Sequence, residues 1–281
     1  MGVEYEGYIS HDTIRLGSLA TNSLPFMAYY YTRPIGRGGI KRGFDGILGL
    51  GSSYNDDITE HHPEAFPSYL DTLKARKLFD ANVMAFKFPQ HRLGDVGELM
   101  LGGTNPDLYE GSFKTVQVAQ NAEIARNFPF SYILPVASIT LNKLYPIKYV
   151  LRGSNALLSS IPRSYLPSYI VHDILNTIGA KEHGGWHSVP CDRRSELPGI
   201  TFEIGGHEIT ISALDYIFEM EAGEGMGKVC VVGFDSLGED SENNGWLILG
   251  STFLRGWYTR FDLDKREIGC KYHLKETWHG S

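Results

Sequence analysis

Cysteine is scarce. Of 281 residues only Cys191, Cys230 and Cys270 carry a thiol, too few for a disulfide-dense scaffold and too widely spaced for a zinc site. One bridge is the most they can form. Basic residues are also in deficit: 26 Lys and Arg stand against 33 Asp and Glu, a formal charge of −7. No Lys/Arg block occurs that could track a phosphate backbone, so nucleic acid is not an expected partner. No apolar run reaches the roughly 18 residues of a membrane-spanning helix. The opening residues 1–12, MGVEYEGYISHD, lack the basic start and apolar stretch of a secretion signal. The chain is expected neither to span a membrane nor to carry an export address.

Several chemistries are missing as well. His61-His62, His183 with His187, and His207 are scattered without ligand spacing, so no metal and no cofactor is expected. No Gly-x-Ser-x-Gly elbow occurs, and Ser159-Ser160 before Ile161-Pro162 reads as a turn entering a helix, which leaves a serine hydrolase unsupported.

What is present is β-rich. An apolar content of 42% suffices for one large β domain or two lobes with cores of their own. Runs with strand character, bounded by Gly, Pro, Asn and Asp, lie at 5–17, 26–32, 81–88, 96–103, 112–118, 200–211 and 257–272. Gly102-Gly103 and Gly205-Gly206 suit hairpin connections. Two segments read as helices. One covers about 64–77; the other covers about 163–178, where Leu166, Ile170, Ile174 and Ile178 recur before Gly179. Residues 179–199 and 233–245, rich in Gly, Ser, Asn and charge, read as loops. The aromatic cluster Tyr29-Tyr30-Tyr31 is explained by a lobe core and alternating strand faces. The fold class is all-β with a few short helices.

A faint duplication runs through the chain. Ile47-Leu48-Gly49-Leu50-Gly51 is echoed by Leu247-Ile248-Leu249-Gly250-Ser251. Each reads as a buried strand whose glycine lets another backbone pass closely. Two such runs suggest two related lobes.

Taken in order, these pieces carry a resemblance. Phe44-Asp45-Gly46 leading into Ile47–Gly51, then Leu78-Phe79, then Gly97 to Gly103, then Pro106, Tyr109 and Gly111 resemble the first lobe of pepsin-like aspartic proteases. Trp246 to Gly250 followed by Phe253-Leu254-Arg255, Tyr258 and Phe261-Asp262 resembles that family's last core strand and final hairpin. Gly7-Tyr8, Asp12-Thr13 and Leu16-Gly17 are similar to the strand that follows its active-site flap. The resemblance covers about residues 5–272. It implies a bilobal protein with a peptide-binding cleft, an incomplete first lobe at 1–118 and a second lobe at 119–281. It also implies a Cys191–Cys230 disulfide, which would stabilise the fold by roughly 4 kcal/mol in an oxidising compartment. A polypeptide is the implied substrate or ligand.

The family cleaves peptides with one Asp from each lobe, set in an Asp-Thr-Gly or Asp-Ser-Gly turn so that the pair shares a proton. This chain contains neither tripeptide. The first turn belongs upstream of the flap, and Met1 is followed at once by post-flap sequence. The second belongs in Tyr149-Val150-Leu151-Arg152-Gly153-Ser154-Asn155. Aligning on Gly153 puts Leu151 at the catalytic position, whereas aligning on the apolar pair Val150-Leu151 puts Arg152 there. Neither side chain can act as the required acid or base. Gly153 and Ser154 are then what remains of the substrate cleft. Asp45 and Asp235 come nearest in composition, but the first belongs to the buried-strand motif and the second to a polar loop. Loss of a first-lobe hairpin would leave the strand Ile47–Gly51 at an open sheet edge, prone to self-association. The expected function is therefore a non-catalytic peptide-binding or interaction scaffold of the family. The alternative is an active secreted endopeptidase working at acid pH, of which this chain is a truncated form. The family implies an extracellular or vacuolar site, while these first residues point to neither.

Overall fold

Strands dominate the computed structural model, which describes residues 2–35, 46–51, 68–79, 81–89, 96–119, 132–221, 227–238 and 245–272. The chain divides into two units, Met1–Phe79 and Asp80–Ser281.

In the first unit, β1 (Gly2–Leu16) and β2 (Leu19–Ile35) form a two-stranded antiparallel ribbon. Gly17, at φ 60°, makes the tight turn between them. A bulge follows Glu6, where a Cβ on Gly7 would sit 2.3 Å from the Ala28 carbonyl oxygen. The strands expected at 5–17 and 26–32 are thus two arms of one longer hairpin. Two residues of the tyrosine cluster are not core: Tyr30 and Tyr31 are 66% and 51% exposed on the ribbon. The Tyr30 hydroxyl donates to the Glu6 carboxylate. A helix spans Tyr69–Ala75, capped by the Ser68 hydroxyl, which accepts from the Asp71 N–H, with Leu70 and Leu73 buried. Of the helix expected at 64–77, residues 64–67 lie outside the described residues, and Lys77, at φ 53°, is past its end.

The expectation for Ile47–Gly51 is corrected. Residues 46–51 form no strand; Ile47 and Leu48 are exposed, and nothing lies within 4 Å of a Cβ built on Gly49. The counterpart at 247–250 behaves as expected. β16 (Trp246–Leu249) buries Leu247 and Leu249, and a Cβ on Gly250 would meet the carbonyl oxygens of Arg163 and Ile161 at 2.2 and 2.4 Å.

The second unit is built on a seven-stranded sheet in the order β12-β11-β6-β7-β16-β8-β15. Its members are β6 (Tyr132–Leu141), β7 (Ile147–Leu158), β8 (Ser164–Leu166), β11 (Ile200–Ile204), β12 (His207–Ile211), β15 (Phe234–Ser236) and β16. Strict alternation drives the hairpin β11–β12: Ile200, Phe202, Ile204, Ile209 and Ile211 all point inward, and Gly205-Gly206 make the turn. A second, five-stranded sheet has the order β4-β3-β17-β18-β5, from β3 (Val83–Lys87), β4 (Glu98–Leu101), β5 (Lys114–Gln117), β17 (Trp257–Asp262) and β18 (Glu267–Tyr272). Gly102-Gly103 is not a hairpin connection; it follows β4 and leads to the 3-10 turn Pro106–Leu108.

The second helix is shorter than expected, Ser168–Ile178. Pro167 is its N-cap, and Leu166 lies upstream in β8. Ile170, Ile174 and Ile178 are buried, and Gly179 closes the helix in the left-handed conformation, with its N–H on the Asn176 carbonyl. Neither expected loop is wholly irregular. Residues 179–199 hold β9 (Lys181–His183), β10 (Trp186–Val189) and the 3-10 helix Cys191–Glu196; residues 233–245 include β15. Strands β9 and β10 belong to a four-stranded sheet, β13-β14-β10-β9, with β13 (Ile217–Glu221) and β14 (Lys228–Val232). The Cys191–Cys230 disulfide is present and ties that 3-10 helix to β14. Cys270 is free and buried, and burial pushes its thiol up to about 12.

Three outcomes follow. Gly250→Ala should lower the unfolding free energy by about 3 kcal/mol, since backbone must move to admit a methyl group; an unchanged urea midpoint would contradict the close approach. A thiol reagent at neutral pH should leave Cys270 unlabelled until the chain unfolds. Reducing Cys191–Cys230 should remove roughly 2–4 kcal/mol, read as a drop in melting temperature.

Candidate functional site

The segment 150–155 lies within β7, beside β6. Val136 pairs with Ser154 and Ser138 with Val150, so Leu151, Arg152 and Gly153 together face the single residue Ala137. This is a bulge, and Gly153 at φ 74° supplies the left-handed conformation it needs. Its residues part company: Leu151 is 7% exposed and turned into the core, whereas Arg152 and Gly153 face out. Ser154 is buried, and the Asn155 N–H donates to the Gly245 carbonyl at 2.7 Å, just before β16. The four residues picked out from the sequence therefore sit together on one irregularity.

A cleft of about 550 Å³ opens over the bulge, lined by Arg152 to Asn155, by Ser138 and Lys148 from β6 and β7, and by Glu203, Gly205 and Gly206 from the neighbouring hairpin. Its charges are unequal. The Glu203 carboxylate accepts from the Ser138 hydroxyl at 2.7 Å and pairs with the Lys148 ammonium at 3.1 Å. The Ser138 hydrogen bond, with Lys148 second, holds the Glu203 carboxyl below the usual carboxylate range. Arg152 makes no ion pair or hydrogen bond among the described residues, nor do the side chains of Ser154 and Asn155. The one carboxylate in the lining is thus engaged by Ser138 and Lys148, and no second carboxylate lines the cleft among the described residues. A proton shared between two acids cannot be built from these groups.

Other candidates lie elsewhere. Asp235 is on β15, ion-paired with Arg163, whose guanidinium lies 3.8 Å from the centre of the Trp186 ring. Asp45 and His61-His62 fall outside the described residues. His183 and His187 sit on opposite faces of the β9–β10 hairpin, paired with Trp186 and Glu182 respectively, and His207 contacts the Thr115 carbonyl at 3.2 Å. No group of three or more His, Cys, Asp or Glu is set to hold a metal among the described residues. Ser159-Ser160 precede a bend and β8 before the helix begins. Ser138, Lys148 and Glu203 were not visible as site residues in the sequence. Ser138 and Glu203 are cross-strand partners, and only the register of β6 with β11 brings them together.

The profile of the family described as eukaryotic aspartyl protease matches residues 1–272, and the chain belongs to that family. Vacuolar protease A of Aspergillus fumigatus is 29% identical over 278 residues, covering 95% of this chain and 61% of that protein. Cathepsin D of Chionodraco hamatus is 31% identical over 269 residues, covering 94% of this chain and 62% of that protein. The chain therefore spans less than two-thirds of the length of these relatives. The crystal structure of the aspartic proteinase from Irpex lacteus superposes with a TM-score of 0.77 at 21% identity, over 98% of this chain and 80% of that one. The mainly β, pepsin-like fold class expected from the sequence is the class this likeness gives.

Placing a carboxylate at residue 151 should not create an acid pair. Leu151→Asp would bury an acid without a partner and is expected to cost roughly 3 kcal/mol, with no cleavage of protein substrate at acid pH. A variant as stable as the parent would show that the bulge can turn residue 151 toward solvent.

Proposed function

We propose that this chain is a non-catalytic member of the eukaryotic aspartyl protease family that holds polypeptide in the cleft over the β7 bulge. The observation that supports this reading is the bulge itself: its glycine is present, the sequence puts Leu151 or Arg152 at the position expected for the family's aspartate, and the one lining acid among the described residues is already engaged by Ser138 and Lys148. Removing one member of a set of reacting groups that act as a unit lowers rate by orders of magnitude. Its named relatives are proteases, and their substrates are polypeptides; what this chain keeps of that ability is binding.

The reading has three further parts. The lobe boundary is placed near residue 118, supported by β5 ending at Gln117 and β6 opening the seven-stranded sheet. The disulfide favours an oxidising compartment, in line with an extracellular or vacuolar site. Self-association proceeds through the β1–β2 ribbon, whose two strands pair only with each other among the described residues and leave both edges open; residues 46–51, being no strand, contribute no such edge.

An unstructured protein incubated with the chain at acid pH should stay intact with or without a statine-type inhibitor. Inhibitor-sensitive cleavage would overturn the reading and restore an endopeptidase. In sedimentation velocity, the apparent mass should rise with concentration. A single monomeric species across the range would remove the self-association.

A further inference from the structure

The cleft over the bulge has a charge preference. We infer that it selects peptides carrying a carboxylate, an Asp or Glu side chain or a free C-terminus, and that Arg152 is the residue that receives it. This rests on the peptide-binding reading above and adds its specificity.

The charge count within the lining is the starting point. Lys148 and Glu203 are paired at 3.1 Å and cancel, while Ser138 takes up a further lone pair of the same carboxylate oxygen. What remains is Arg152, exposed, with no anion of its own among the described residues, in a cleft of about 550 Å³. Ser154 and Asn155 belong to the same lining, and neither side chain makes a hydrogen bond among the described residues. The Arg152 guanidinium is thus a charged donor at this concavity with nothing described for it to donate to. A guanidinium offers a planar fork that matches a carboxylate bidentately, and such charge-assisted bonds are about twice as strong as neutral ones. Engaging Glu203 elsewhere matters equally, because a free carboxylate beside Arg152 would occupy the fork and repel an acidic ligand. An acid pair works by being negative or protonated; this cleft presents a fixed positive charge at the same bulge.

The test uses the full chain and short labelled peptides in fluorescence anisotropy. One peptide has a central Asp and an amidated C-terminus, one has no acid but a free C-terminus, and one is neutral throughout. At least one carboxylate peptide should bind roughly tenfold more tightly than the neutral one, and which of the two does so identifies the source of the carboxylate. The preference should vanish in Arg152→Gln and weaken in about 0.5 M salt. Arg152 is exposed, so an unchanged melting temperature is expected of that variant. Equal affinity for all three peptides, or a preference that survives in Arg152→Gln, overturns the inference and leaves peptide binding standing. Binding of none overturns both the inference and the peptide-binding reading, while the absence of catalysis is decided separately by the cleavage assay.

Discussion

The β16 backbone reaches its place in the sheet because Gly250 has no side chain to keep it out. Two carbonyl oxygens, of Ile161 and Arg163, come within 2.4 and 2.2 Å of where a Cβ would stand. The approach is locked by hydrogen bonds: the Gly250 N–H to the Ser164 hydroxyl, the Ser251 N–H to the Ile161 carbonyl, and the Thr252 hydroxyl to the carbonyls of Pro162 and Gly233. These bonds hold β8, β15 and β16 as a block. β16 in turn pairs in parallel with Asn155 to Leu158 of β7, so the bulge begins where this clamped segment ends. The position of Arg152 is inherited from a contact made elsewhere in the chain.

That inheritance separates shape from chemistry. A bulge with a left-handed glycine is a backbone device, indifferent to whether its other residues are acids, leucine or arginine. Proton sharing needs, beyond such a turn, two carboxylates held close to each other. Leu151 fits the device because its side chain joins the core, and Arg152 fits because it faces water. The strands thus keep their register around the bulge with a buried Leu151 and an exposed Arg152 on it.

Much of the architecture could be read in advance, and the errors share a cause. Alternation at 200–211 and four-residue spacing in Ile170, Ile174 and Ile178 were sufficient because those patterns report burial directly. Ile47–Gly51 and Leu247–Ser251 are nearly the same in composition, yet only the second is strand and core; what differs is the company each keeps, and composition does not record it. Residues 181–189 read as loop in the sequence because strands of three and four residues with exposed Lys, Glu and His lack an apolar face. Leu166 fits the helical spacing but precedes the helix, which Pro167 caps one position later. For the site, the glycine and its two neighbours were legible as a disturbed motif. Ser138, Lys148 and Glu203 were not, since their meeting is a matter of register between strands far apart in the chain.

The five-stranded sheet has a bearing on how the chain comes to be folded. β17 lies against β3 and β18 against β5, so strands made earlier on the ribosome wait for partners made much later. Until then β3 and β5 present unpaired edges, with Met84, Ala85 and Val116 uncovered. Contacts of such sequence separation form slowly, and nascent chains with open edges are the ones that aggregate. The five-stranded sheet thus closes only when β17 and β18 reach strands made long before them.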